Sequence, residues 1–126
     1  MFFRNEAHAR TFISRVKRNP NRCSNEYLSA LYLLTADKSL WLTAKKEITN
    51  EEIRIEDIDI KGISPIGYML IKAASDIKDR STYMALTDLG DKTLISNQAF
   101  RLIMTALKIC RHGYNAIDCV KKPFMT

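Results

Sequence analysis

Glycine, proline and histidine are scarce in this chain: 126 residues include four Gly, three Pro and two His. Few positions therefore interrupt long elements, which disfavours a many-turned β architecture and favours helices. Long apolar runs are missing too. The densest, Leu28 to Leu34, falls far short of the roughly 20 residues that a membrane span needs. The opening Met1-Phe2-Phe3-Arg4 turns polar at once and lacks the basic, apolar, small order of a signal peptide. These two absences predict a cytoplasmic protein with no membrane contact. The three cysteines, Cys23, Cys110 and Cys119, are odd in number and widely spaced. They form no disulfide framework and read as reduced thiols. There is no nucleophile elbow, phosphate loop, dinucleotide fingerprint or HExxH pair.

What is present is ordinary globular material, 46% apolar and 27% charged, at the size of a single domain spanning 1–126. Apolar spacing predicts an all-α fold, an irregular bundle of about six helices. The first runs from about Asn5 to Arg18, with Asn5 as N-cap and Ala9, Phe12, Ile13 and Val16 as its buried stripe. A second, from Ser24 to about Ala36, is apolar on several sides and is expected to be the central helix. A third covers Ser39 to Lys46. Residues 47–63 mix a Thr49–Glu52 capping pattern with partly alternating isoleucines, and predict a helical turn or an extended segment near 53–60. Ser64-Pro65 opens a fourth helix to about Lys78. A short one follows over Thr82 to Leu89. The last is expected to be capped by Asp91 rather than Ser96, and to end at His112 before Gly113. Residues 113–126 read as an irregular tail.

The net charge of +6 is unevenly spread. Residues 1–22 hold Arg4, Arg10, Arg15, Lys17, Arg18 and Arg22 against Glu6 alone, while 101–126 hold five basic residues against Asp118. Residues 47–59 carry Glu47, Glu51, Glu52, Glu56, Asp57 and Asp59 against Arg54. Arg4, His8, Thr11, Arg15 and Arg18 recur at helical spacing. They predict one continuous basic face, with Lys17 and Arg22 nearby and His8 a surface histidine. Such a face suits an acidic protein surface or a phosphate backbone. No aromatic residue interleaves with these cations in the sequence, which argues against a single-strand stacking platform. The second charged surface is Glu51, Glu52, Glu56, Asp57 and Asp59. It lacks the fixed spacing and central Gly of a calcium loop and reads as a solvated face. Neutralisation of the basic region by the acidic one, within a chain or between two, leaves monomer and homodimer both open.

Cys110, His112, Cys119 and Cys23 are the weak metal candidates. Zinc wants four ligands with close pairing, and Cys110 and His112 point about 200° apart on one helix. No metal and no cofactor is expected, and with no base or nucleophile set in view the protein reads as a non-enzyme.

Phe3-Arg4-Asn5-Glu6-Ala7-His8, Asn25-Glu26-Tyr27-Leu28-Ser29-Ala30-Leu31-Tyr32-Leu33-Leu34-Thr35-Ala36, Leu70-Ile71-Lys72-Ala73-Ala74 and Leu89-Gly90-Asp91 together resemble a family of small bacterial proteins of unknown function found in phages and conjugative elements. Gly90 separates a Leu and an Asp that the family usually has adjacent. The resemblance covers roughly residues 3–112. It implies a compact helical fold in a mobile-element setting, and it implies no activity and no site residues. The expectation is therefore a small interaction protein that binds another protein, such as an inhibitor of a host defence system like a CRISPR nuclease. The alternative is a sequence-nonspecific nucleic-acid binder using the basic face of helix one.

Overall fold

The structure, a computed structural model, describes residues 1–18 and 24–117. Six helices are found: α1 Glu6–Arg18, α2 Asn25–Leu34, α3 Lys38–Ala44, α4 Pro65–Lys78, α5 Leu86–Leu89 and α6 Asn97–His112. The fold is all-α among the described residues. Its only strand-like feature is an isolated antiparallel bridge between Ile48 and Ile53.

α2 is the centre. Every residue from Tyr27 to Leu34 is buried, and the helix packs on both α4 and α6. Ser24 caps it, accepting from the Tyr27 amide. Ser29 donates across to the Ala106 carbonyl of α6 at 2.5 Å, so its buried hydroxyl is satisfied. α4 begins at Ser64-Pro65 as its sequence demands, with the Ser64 hydroxyl accepting from the Gly67 amide. Gly67 is set by packing: a Cβ there would stand 2.9 Å from an Asp37 carboxylate oxygen and 3.4 Å from Leu40. Residues 47–63 combine both expected states. Ile48, Ile53, Ile55 and Ile58 are buried around a 3-10 turn, Ile55–Asp57, while Ile60 is exposed. Thr49 caps a loop turn rather than a helix, its hydroxyl accepting from the Glu51 and Glu52 amides.

Three expected boundaries are corrected. The helix expected over Thr82 to Leu89 is only Leu86–Leu89. The Asp76 carboxylate at the end of α4 accepts from the Ser81 hydroxyl and the Tyr83 and Met84 amides, drawing that stretch out of helical geometry. The last helix is capped by Ser96, not Asp91. Ser96 has extended backbone (ψ 160°), and Asp91 instead closes its own turn with Thr93. Ile95 is buried from that turn, which carries the apolar spacing across a real break. The tail is ordered further than expected: Gly113–Ala116 is a 3-10 turn and Ile117 is fully buried. Gly113 has φ +66°, and a Cβ there would lie 2.3 Å from the Asn25 side chain, so both conformation and space require glycine.

Candidate functional site

The basic stripe of α1 divides in two. Its first half is turned inward. Asn5 caps the helix through the His8 amide at 2.8 Å, as the sequence indicated. His8, expected on the surface, is 1% exposed. Its ring lies 4.7 Å from that of Tyr32 and edge-on to Phe3 at 5.1 Å. Nδ1 accepts from the Arg4 amide at 3.1 Å, which leaves Nε2–H to donate to the Tyr32 carbonyl at 2.8 Å. Burial pushes the imidazole down to about 4; the Tyr32 carbonyl works against this, and Arg4 adds to it. The ring is thus neutral and both its nitrogens are occupied, so it acts as a pin in the fold.

Arg4 also faces the protein. Its guanidinium meets Asp37 at 2.9 Å, the Ala36 carbonyl at 3.3 Å and the Gln98 side chain at 3.0 Å. Asp37 is the N-cap of α3, accepting from the Leu40 amide and the Ser39 hydroxyl. Burial works to raise its pKa. The contacts from Ser39, Leu40, Arg4 and Ser64 outweigh that and hold the carboxyl below its usual range. Tyr32 donates its hydroxyl to the Phe2 carbonyl, and Arg101 lies over the Phe2 ring at 3.9 Å. The Phe3-to-His8 stretch is therefore a latch that fastens α1 to α2, α3 and α6. The expected continuous face does not exist, because its first two members fill packing roles.

The second half faces solvent. Arg18 and Lys17 are exposed, and Arg15 is half-buried. Arg15, Arg18 and Arg10 of α1 share an open hollow of about 450 Å³ with Ser14, Trp41 and Lys45. The Arg15 guanidinium lies over the Trp41 ring, 5.1 Å from its centroid. Burial lowers the Arg15 pKa; the like charge of Arg18 lowers it further, and Tyr27 opposes both. Arg10 is held by Glu6 at 2.9 Å in a fully solvated pair. Among the described residues Arg15, Lys17, Arg18 and Lys45 have no carboxylate partner within salt-bridge distance. Arg22 lies outside the described residues.

Lys45 and Trp41 are the site residues that reading α1 alone missed. Trp41 comes from α3 and Lys45 from its C-cap; Asp37 caps the start of that helix, and buried Leu40 and Ala44 orient it. Trp41 follows Leu40, and Lys45 lies one turn beyond Trp41 on the same face. The sequence signal was available in the Trp41…Lys45-Lys46 spacing, but nothing in it states that Trp41 and Lys45 come beside Arg15.

The acidic residues Glu51, Glu52, Glu56, Asp57 and Asp59 are all exposed. Arg54 reaches Glu52 at 3.7 Å and Asp57 at 3.9 Å, so the segment partly neutralises itself. Among the described residues no ion pair joins it to α1. Beside it, Ile60, Tyr68 and Tyr83 expose apolar surface along a groove rimmed by Glu56, Lys72 and Asp79, with the Lys72 ammonium 4.4 Å from the Tyr68 centroid.

Cys110 is half-buried. Burial raises its thiol, Glu26 adds to that and Arg80 opposes it. Cys23 and Cys119 lie outside the described residues. No group of three or more His, Cys, Asp or Glu residues gathers as a metal site among the described residues. None of the described helices is long and apolar enough to cross a membrane. Comparison with known protein families, with curated proteins and with solved structures found no match to this chain.

Proposed function

We propose that this protein is a non-enzymatic nucleic-acid-binding protein whose contact face is the hollow between α1 and α3. One observation carries the reading: Arg15, Arg18 and Lys45 line one open surface with Trp41, and among the described residues no carboxylate lies within salt-bridge distance of them. Like charges held together in this way repel, and a polyanion relieves the repulsion while releasing its own counterions. The latch supports the same reading, since it fixes α1 and α3 and so holds the cations in a preformed arrangement that costs little ordering on binding.

The test is an affinity series against salt on duplex and single-stranded oligonucleotides. Binding is expected at low salt and weakens steeply as salt rises, with a log–log slope of about −2 to −3 if three or four phosphates of a single strand are neutralised. Arg18→Glu with Lys45→Glu is expected to abolish it. Absence of binding at low salt would sink the proposal.

A protein partner is the second reading, favoured by the groove at Ile60, Tyr68 and Tyr83. Tyr83 is 62% exposed, and neighbouring Leu86 is 86% exposed. Exposed tyrosines grouped with aliphatic side chains are the composition of interface centres. In the mobile-element setting that the resemblance implies, that partner is a component of a host defence system such as a CRISPR nuclease. Capture of a protein that survives the charge reversal on α1 and α3 would favour this groove over the basic hollow.

A further inference from the structure

We propose that the α1–α3 hollow prefers single-stranded nucleic acid to duplex, with an unpaired base stacked on the Arg15–Trp41 pair. This rests on the nucleic-acid reading above and names the form of nucleic acid it takes.

The first support is the platform. Trp41 is the sole tryptophan and is half-buried, with the guanidinium of Arg15 lying over its ring. Unstacked bases settle on guanidinium planes as they do on aromatic rings, so a base can stack on the outer plane of Arg15, with the Trp41 ring beneath it. The sequence placed no aromatic residue among the cations of α1; Trp41 of α3, beneath the Arg15 guanidinium, supplies one.

The second support is how the charge is arranged. Arg18 and Lys45 share the hollow with the platform, one from each helix. Phosphates on either side of a stacked base would find a cation on each wall. Ser14, exposed on α1, adds a hydroxyl donor for a phosphate oxygen.

The third support is shape. Duplex DNA keeps its base faces stacked inside and presents only edges, which are read by a helix or ribbon that protrudes into a groove. Here the hollow is open and shallow, and its flat element lies at the surface. A splayed base can lie flat on that element, whereas a duplex, its base faces stacked inside, meets only the surrounding cations. An acidic polypeptide would satisfy Arg18 and Lys45 but would leave the stacking surface without a use.

The sole tryptophan makes the test specific, because its emission reports this site alone. The full chain is titrated with oligodeoxythymidylate, oligouridylate, a duplex of matched length, inorganic polyphosphate and polyglutamate, following tryptophan emission together with the anisotropy of labelled probes. Single strands are expected to quench Trp41 and to bind about tenfold more tightly than duplex, the size of one base–aromatic stack. Polyphosphate is expected to bind weakly and without quenching. Trp41→Leu is expected to lose about tenfold in single-strand affinity by anisotropy. Should that variant fail to fold, Arg18→Glu with Lys45→Glu keeps the indole and must shift the quenching curve to higher oligonucleotide concentration. Duplex binding as tight as single-strand binding, with emission unmoved, overturns the stacking proposal and leaves nucleic-acid binding standing. Polyglutamate binding as tightly as the oligonucleotides overturns both, and assigns the face to an acidic protein.

Discussion

Arg4 and Arg15 belong to one stripe at helical spacing, yet the two ends of that stripe do different work. Arg4 is anchored to Asp37, the Ala36 carbonyl and Gln98, and the ring of His8 beside it is buried with both nitrogens bonded. Arg15 lies over Trp41, and Arg18 beside it faces solvent. What separates them is the neighbour each half meets. The first half meets the α2–α3 corner, where the Asp37 carboxylate and the Tyr32 and Ala36 carbonyls accept from it. The second half meets the side of α3, which offers an indole and a lysine. A cation next to a buried carboxylate becomes structural. A cation next to other cations stays available to a ligand. Burial and partner sign, more than position on the helix, decide which residues of a charged stripe serve the fold.

The largest effect is expected where that division is broken on the structural side. Asp37→Ala removes the partner of Arg4 and the cap of α3 together. The Asp37 side chain is 8% exposed and that of Arg4 24%. Breaking such a pair costs about 3 kcal/mol or more, partly because the remaining charge is left uncompensated. Glu6→Ala, which removes the solvated partner of Arg10, is expected to cost less than about 0.5 kcal/mol. Urea denaturation should show a lowered midpoint with an unchanged slope for the first and almost no change for the second. Equal costs would erase the distinction between the two halves.

A smaller effect follows from His8. Its folded pKa, about 4, lies below the unfolded value of 6.5. Between these values the unfolded chain binds the proton and the folded one does not, so stability is complete above about pH 6.5 and declines as pH falls toward 4. The loss across that window is on the order of 3 kcal/mol at most. Asp37 is held below its usual range, so its own contribution is lost only at lower pH. Thermal melts of His8→Gln are expected to be flatter between pH 7 and pH 4.5 than those of the parent. Parallel profiles would mean that His8 is not the group responsible.

The same contrast explains what the sequence could and could not reveal. Helix positions were legible wherever local chemistry sets them: Ser24, Ser64-Pro65 and Gly113 mark ends that the structure keeps. They were misread where a distant side chain intervenes, as when Asp76 captures the Tyr83 and Met84 amides. The apolar period also ran through the turn at Asp91 to Ser96, because Ile95 is buried there although it lies outside the helix. For the candidate site, charge and spacing singled out Arg15 and Arg18, which line the α1–α3 hollow. They could not identify His8 and Arg4 as buried, since a His or Arg on a polar stripe looks the same whether it meets water or a carboxylate. Nor could they place Trp41 among the cations, because that neighbourhood is tertiary.

The smallest effect lies on the exposed half, and it is the sharpest check on the binding face. Arg15→Ala removes a guanidinium from an indole at a partly solvated site, a contact of about 0.5–1 kcal/mol. Arg18→Ala removes an exposed side chain with no partner among the described residues, and is expected to stay within about 0.5 kcal/mol of the parent. Both variants should therefore melt close to the parent, Arg15→Ala a few degrees lower, while both lose oligonucleotide affinity at low salt. The order of effects then runs in opposite directions along the stripe: stability is lost at Arg4 and His8, and binding at Arg15 and Arg18. If Arg18→Ala instead destabilises the fold as much as Asp37→Ala does, the exposed half is structural as well. The loss of binding in that variant would then reflect unfolding, and the hollow would no longer be distinguished from the latch.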